Sequence, residues 1–316
     1  MLFRSGFTGD TTLTVATNDQ GATGSGGPQT DTDVIDITVT AGRQLALDGR
    51  TPVRFTDASG DTILVYLIGG TGTIFLPPGD RGDIREIVLS NTTERSMLMI
   101  SGGRTTVGDI TVNGPMGTIS ASLTTLSGTL SIGPTATTYG ATTIMLDVLA
   151  EARVASQMPI GTFMANAWTD ADATPDVLTA PRANMVYIRG QMQADLDLQG
   201  DSDRLNRNLG VFYALGAFNG DVTLAAGAGT MLLADWAAGT LQGTYVTSLI
   251  SRGSLGAAIN LTGQNPYGAS ISVLSVIGQV TCPSITLAGS IGAIVAGLWN
   301  VDRKSTRLNS SHTIQS

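Results

Sequence analysis

All three tryptophans of this 316-residue chain close the same phrase, a glycine seven residues upstream followed by an apolar run. The phrases are Gly161-Thr-Phe-Met-Ala-Asn-Ala-Trp168, Gly229-Thr-Met-Leu-Leu-Ala-Asp-Trp236 and Gly292-Ala-Ile-Val-Ala-Gly-Leu-Trp299. Trp168 and Trp236 are 68 residues apart and Trp236 and Trp299 are 63 apart, so a long repeat runs through the second half and its third copy stops almost as it begins. Repetition on this scale means stacked units, each leaning on its neighbour.

A shorter motif sits inside the long one. Gly108-Asp-Ile-Thr-Val-Asn-Gly114 is echoed by Ser127–Gly133, Ala194–Gly200, Ala257–Gly263 and Pro283–Gly289, each with two apolar residues separated by one polar residue. That alternation buries one face of a strand and wets the other. Strands this short, separated by turns, satisfy their backbones by pairing with the equivalent strand one coil above. The expected fold is all-β, a right-handed parallel β-solenoid. With roughly 20 residues per coil, a unit of 63 to 68 holds about three coils. Arg189-Gly190 and Arg252-Gly253, like Gly200 and Gly263, then recur three coils apart. Met145–Ala155 has helix-forming residues, yet Ile144, Leu146 and Val148 alternate with polar or outward positions in strand fashion, and the strand reading is preferred.

The 40 glycines and the low charged fraction of 13% agree with many turns around β-strands. Acids outnumber bases, 25 to 17, which excludes a nucleic-acid partner needing clustered Lys and Arg. Cys282 is the only cysteine, so no intrachain disulfide forms. Ser254–Val301 carries no charge, but Asn260, Gln264, Asn265, Pro266, Gln279 and Pro283 interrupt it, and a buried solenoid core is favoured over a transmembrane segment.

Upstream, Thr11–Val15 and Val34–Val39 alternate as half-buried strands around a loop of Asn, Asp, Gly and Ser. Phe55–Leu76 gives two strands, Thr62–Ile68 and Thr73–Leu76, around a Gly-Gly turn, and Ile84–Leu89 and Met97–Ile100 continue a meander.

Three resemblances refine this. Asp302-Arg-Lys-Ser-Thr-Arg-Leu-Asn-Ser-Ser-His312 resembles the translation of a sequencing-library adapter, and Met1-Leu-Phe-Arg-Ser5 resembles the opposite adapter. On that reading 1–5 and 302–316 are artefact, and the natural segment is cut from a longer gene, which hides any signal peptide. The phrase TLTVATNDQGATGSGGPQTDTDVIDITVT resembles the last two strands of cadherin-like, immunoglobulin-type repeats of bacterial surface proteins, which implies a truncated repeat over 6–42 that ends as a β-hairpin. FTDASGDTILVYL, MISGGRTTVGDITVNGPMGTISASLTTLSGTLSIG and DVLTAPRANMVYIRGQMQADLDLQG resemble long repetitive secreted proteins of planctomycete-type bacteria. The resemblance implies a β-solenoid surface protein; with the strand pattern it places a β-meander over 43–107 leading into the solenoid over 108–301.

Candidate sites are few. Asp57-Ala-Ser-Gly-Asp61 places oxygens of Asp57, Ser59 and Asp61 at a spacing that wraps Ca²⁺, or that simply makes a β-turn. Asp19, Asp31 and Asp33 offer a similar choice, since cadherin-like repeats bind Ca²⁺ at their junctions. Asp195, Asp197, Asp201 and Asp203, with Arg204 and Arg207, form the densest charged cluster, either a solvated loop or the paired carboxylates of a polysaccharide hydrolase. The single histidine, His312, lies in the adapter-like tail, so a serine triad or a zinc site has no support. Arg81-Gly82-Asp83 matches an integrin-recognition tripeptide that short glycine-rich sequences produce by chance. The tryptophans either stack in the core or form an exposed ladder for sugar rings.

These features lead to an expected non-enzymatic, stalk-like or adhesive segment of a large secreted or cell-surface bacterial protein. Its partners are surface glycans or neighbouring surface proteins, and Ca²⁺ is the one candidate cofactor. The alternative is a carbohydrate-binding or polysaccharide-degrading β-helix.

Overall fold

The computed structural model describes residues 9–18, 30–39, 41–135, 140–172 and 174–299. Asp19 and the segments 1–5 and 302–316 lie outside the described residues. Every regular element among the described residues is a β-strand, and the chain winds into a parallel β-solenoid. Gly9–Asn18 and Thr30–Val39 form a separate antiparallel hairpin, paired from Gly9 with Val39 to Asn18 with Thr30. Val15, Val34 and Ile35 are exposed on it.

The first strands of the second body pair antiparallel. Arg43–Leu47 pairs with Thr71–Leu76, which pairs with Ile84–Ser90, while Thr62–Ile68 pairs with both Val53–Thr56 and Met97–Ser101. Then the pattern changes. Ile84–Ser90 and Met97–Ser101 each take a parallel partner on their other edge, Thr105–Val112 and Thr118–Leu126. From there upward every pairing is parallel, in two main sheets.

The broad sheet stacks Met97–Ser101, Thr118–Leu126, Thr142–Ala150, Ile160–Ala165, Ala183–Ile188, Arg207–Phe218, Gly227–Trp236, Val246–Ser251, Ala269–Val280 and Ser290–Trp299. One inward column along it reads Leu98, Ile119, Ile144, Phe163, Val186, Phe212, Met231, Leu249 and Leu274. The narrow sheet stacks three- and four-residue strands above Thr105–Val112, with an inward column Ile110, Leu130, Val154, Leu178, Leu196, Val222, Leu241 and Ile259. All five copies of the short motif lie in this one sheet. Both columns are buried. Each Leu, Ile or Phe so buried contributes roughly 1.5–3 kcal/mol. Met145 to Ala150 lies in a strand, because Ile144, Leu146 and Leu149 face the core and an amphipathic helix would break both neighbouring ladders.

A third column turns the corner between the sheets. Leu126, Leu149, Trp168, Met192, Phe218, Trp236, Leu255, Val280 and Trp299 pair in succession. Trp168 and Trp236 are therefore three coils apart, as are Trp236 and Trp299. The coils measure 24, 26 and 18 residues from Trp168 to Trp236 and 19, 25 and 19 from Trp236 to Trp299. The two longest carry loops, Asp201–Asn206 and Gln264–Gly268, at equivalent corners, and the long first coil accounts for the wider spacing of the first pair.

Candidate functional site

The Asp57 loop is one of three copies of a single hydrogen-bonded corner. At Asp57 the backbone N–H donates to the Asp61 carbonyl, Gly60 N–H donates back to the Asp57 carbonyl, and Asp61 N–H donates to Asp57 Oδ1 at 2.7 Å. Asp203 repeats all three bonds with Arg207 and Asn206, and Asn265 repeats them with Ala269 and Gly268. The fourth residue has positive φ each time: 97° at Gly60, 58° at Asn206 and 82° at Gly268. This is a turn closed by a left-handed residue, with a side-chain oxygen satisfying the N–H that the strand cannot. Asn265 fills the role with a neutral amide, so the corner requires an acceptor and no charge. Ser59 Oγ also donates to Asp57 Oδ1, at 2.8 Å. Asp57 is buried and Asp61 exposed.

The Asp195–Asp203 cluster is divided among structural duties. Asp195 Oδ1 accepts from Asp221 N–H one coil above, and Asp221 Oδ1 accepts from Thr240 N–H one coil above that, both at 2.7 Å. Asp109 and Asp235 make the same inter-coil bond to Thr129 and Ser254. Burial, opposed by the Asp221 N–H bond and reinforced by the neighbouring acids, raises the Asp195 pKa. Asp203 is clipped by Arg207 Nε at 2.9 Å and Nη2 at 2.7 Å. Burial would raise its pKa, but the Arg207 bonds outweigh it and the net shift is downward. Asp197 stands on the outward row of the narrow sheet between Thr179 and Thr223. Asp201 is exposed.

Sequence reasoning missed a different acidic group. Glu151, at a left-handed corner with φ 53°, meets Asp170 and Asp172 from the next coil, and one carboxylate oxygen from each lies within 4.8 Å of the others. Glu151 accepts from Ala171 and Asp172 N–H groups, and Asp170 Oδ1 is buried with no hydrogen-bond partner. Buried Asp176 stands behind them, its Oδ2 accepting from Trp168 Nε1 at 3.0 Å. Desolvation raises the Asp176 pKa, with Asp170 and Glu151 adding repulsion. Among the described residues, Glu151, Asp170 and Asp172 form the one acidic group whose oxygens come near enough to share a cation, and they supply three of the roughly six to eight oxygens that Ca²⁺ takes. The adjoining cavity of about 220 Å³, lined by Thr129, Glu151, Arg153, Asp172 and Asp176, is smaller than typical small-molecule pockets. The signal for this group is a spacing of 19 and 21 residues, one coil, between acids.

Trp168 and Trp236 are 0% exposed, stacked against Phe163 and Phe218 at 5.7 and 5.1 Å. Their indole N–H groups donate to Asp176 Oδ2 and to the Gly220 carbonyl. Only Trp299, on the last described coil, is part-exposed, at 39%. The three tryptophans therefore form no surface ladder. Arg81-Gly82-Asp83 runs beside Val53–Thr56, with Thr56 bridging Arg81, Gly82 N–H bonded to the Thr56 carbonyl and Gly82 buried. Asp33 and Asp31 lie on the hairpin strand Thr30–Val39, exposed. Cys282 is buried, and burial raises its thiol pKa to about 11. No helix among the described residues is long and apolar enough to cross a membrane.

No protein-family model matches this chain, and neither a curated protein nor a solved structure is similar to it.

Proposed function

We propose that the chain is a structural segment, a stiff stalk-like spacer of a secreted or cell-surface bacterial protein, with no catalysis of its own. The observation that carries this reading is the use made of its acids. Asp109, Asp195, Asp221 and Asp235 are spent on bonds between successive coils, and Asp57 and Asp203 on corners. A catalytic surface keeps its carboxylates pointed at a substrate, whereas here they tie each coil to the next. Two of the three tryptophans that would serve a glycan-binding role are core residues, which weakens the carbohydrate-active alternative.

The test is mechanical and enzymatic together. Pulling single molecules from both ends should give a stiff rod that yields in steps of one to a few coils, as expected of nearest-neighbour stacking. Incubation with a panel of acidic and neutral polysaccharides should release no new reducing ends. Hydrolysis of any of them that is lost in Asp195→Asn would reverse the proposal.

A further inference from the structure

The two main sheets differ outside. The outward row of the narrow sheet reads Thr111, Ser131, Ala155, Thr179, Asp197 and Thr223 along successive coils, polar apart from one alanine. On the broad sheet the outward row beside the Phe163 column reads Met145, Met164, Tyr187, Tyr213, Leu232 and Ile250 over six successive coils. The parallel outward row, two residues earlier in each strand, carries Thr143, Thr162, Met185, Val211, Thr230 and Ser248. Neither row has a charged residue. Met164 is 36% exposed and Val273, further along, 37%, while Ile277 on the flank reaches 69%.

We infer that this face is the interface of a homodimer, two copies packed broad sheet to broad sheet. Three observations choose a second copy as the occupant. The first is area. Both rows continue without charge across all ten strands of the broad sheet, through Met99 and Ser120 below and Ser275 and Val295 above, so at about 4.8 Å spacing the strip runs about 43 Å, and two outward positions with their margins make it roughly 14 Å wide. That is about 600 Å² per partner, the size of the smaller specific interfaces and the kind that forms and dissolves reversibly. The second is charge. The chain carries a net charge of −8, so two copies repel through most of their surfaces. The carboxylates of Asp195 and Asp197 belong to the narrow sheet, and the charged residues within the broad-sheet strands lie outside the two rows and are already engaged, Asp147 with Arg104, Arg207 with Asp203 and Asp235 with the Ser254 N–H. The third is geometry. A parallel stack has a fixed rung spacing, and a second copy presents that same spacing, so the side chains of the Met145 to Ile250 row can interleave with their counterparts about a two-fold axis. Methionine suits such a contact because its unbranched side chain adapts to the facing surface. The inference is independent of the stalk proposal, since a dimer forms whether or not the chain is a spacer.

Sedimentation equilibrium of the full chain across micromolar concentrations tests it. The expected result is a reversible dimer. Met164→Lys combined with Tyr213→Lys should weaken dimerisation about a hundred-fold by placing unpaired charge at the centre of the contact. Thr179→Lys, on the opposite sheet, should leave it intact. Circular dichroism establishes that each variant is folded. If the double lysine variant does not fold, Met164→Thr with Leu232→Thr takes its place, and a drop of at least about ten-fold is expected. A wild-type chain that stays monomeric at every concentration overturns the inference, including where the same face is found to hold a glycan or a foreign protein. So does a dimer that neither face variant weakens.

Discussion

At the scale of single residues, the corner column sets the sharpest expectation. Trp236 fills a fully buried site between Phe218 and Leu255, and its indole N–H satisfies a carbonyl of the coil below. Trp236→Ala should cost about 3–5 kcal/mol in chemical denaturation, and Trp299→Ala no more than about 1 kcal/mol, because Trp299 is part-exposed. The Asp57 corner separates shape from charge. Asp57→Asn should be nearly neutral, as Asn265 already demonstrates, while Asp57→Ala should cost about 1–2 kcal/mol for the lost acceptor. A chelator should leave the melting midpoint of the wild type unchanged, and a Ca²⁺-dependent rise abolished by Asp57→Ala would make the loop a metal site. Asp176 is governed by pH. Its carboxyl is raised above the unfolded value of 3.8, chiefly by desolvation, so the folded chain holds the proton more tightly than the unfolded one. The stability this gives is complete below pH 3.8 and is lost as pH climbs through the raised folded value. Asp176→Asn keeps an acceptor for Trp168 without the buried charge. It should stabilise the chain at neutral pH by about 1 kcal/mol or less, an advantage that vanishes below pH 3.8, as thermal melts at the two pH values will reveal.

At the scale of elements, close approach between coils decides which glycines are replaceable. A Cβ on Gly216 would stand 2.4 Å from the Gly190 carbonyl carbon, and one on Gly278 would stand 2.7 Å from that of Gly253, the same pairing three coils on. A Cβ on Gly161 meets nothing nearer than 3.5 Å. Gly216→Ala should therefore cost about 2 kcal/mol or more by denaturant titration, and Gly161→Ala close to nothing. Such pairs explain what could be read in advance. Thr62–Ile68 was legible to the residue, because Ile63, Val65 and Leu67 alternate with polar or outward neighbours and the period of a strand is local information. The three-coil unit was legible too, through the recurrence of Arg189-Gly190 as Arg252-Gly253. The Met145 to Ile250 row was hidden, since apolar residues on both faces of a strand erase the alternation that tells inside from outside. Antiparallel pairing of Arg43–Leu47 with Thr71–Leu76 was equally hidden, because a strand pattern does not name its partner. The convergence of Glu151 with Asp170 and Asp172 depends on coil length, and coils here change length with each inserted loop.

At the scale of the whole molecule, the stacked body and the hairpin differ in how well they are held. Inward columns are continuous from Leu98 to Leu274, whereas the hairpin Gly9–Asn18 with Thr30–Val39 exposes most of its side chains. Amide hydrogen exchange should be slowest in the central coils, Ile160–Ala165 to Val246–Ser251, and fastest in the hairpin by several orders of magnitude. Uniform protection across both would contradict this division. The change from antiparallel to parallel pairing at Ile84–Ser90 and Met97–Ser101 has a further effect on how the body is made. Those strands have both edges occupied, one by the meander beneath and one by the first true coil. The meander closes through pairings as distant as Arg43 with Leu76 and Leu64 with Ser101, so it is expected to form as one unit, which then offers the two free edges that the first coil takes. Each later coil then finds its neighbour already in place, and the chain is laid down in one direction, in the order in which it is translated.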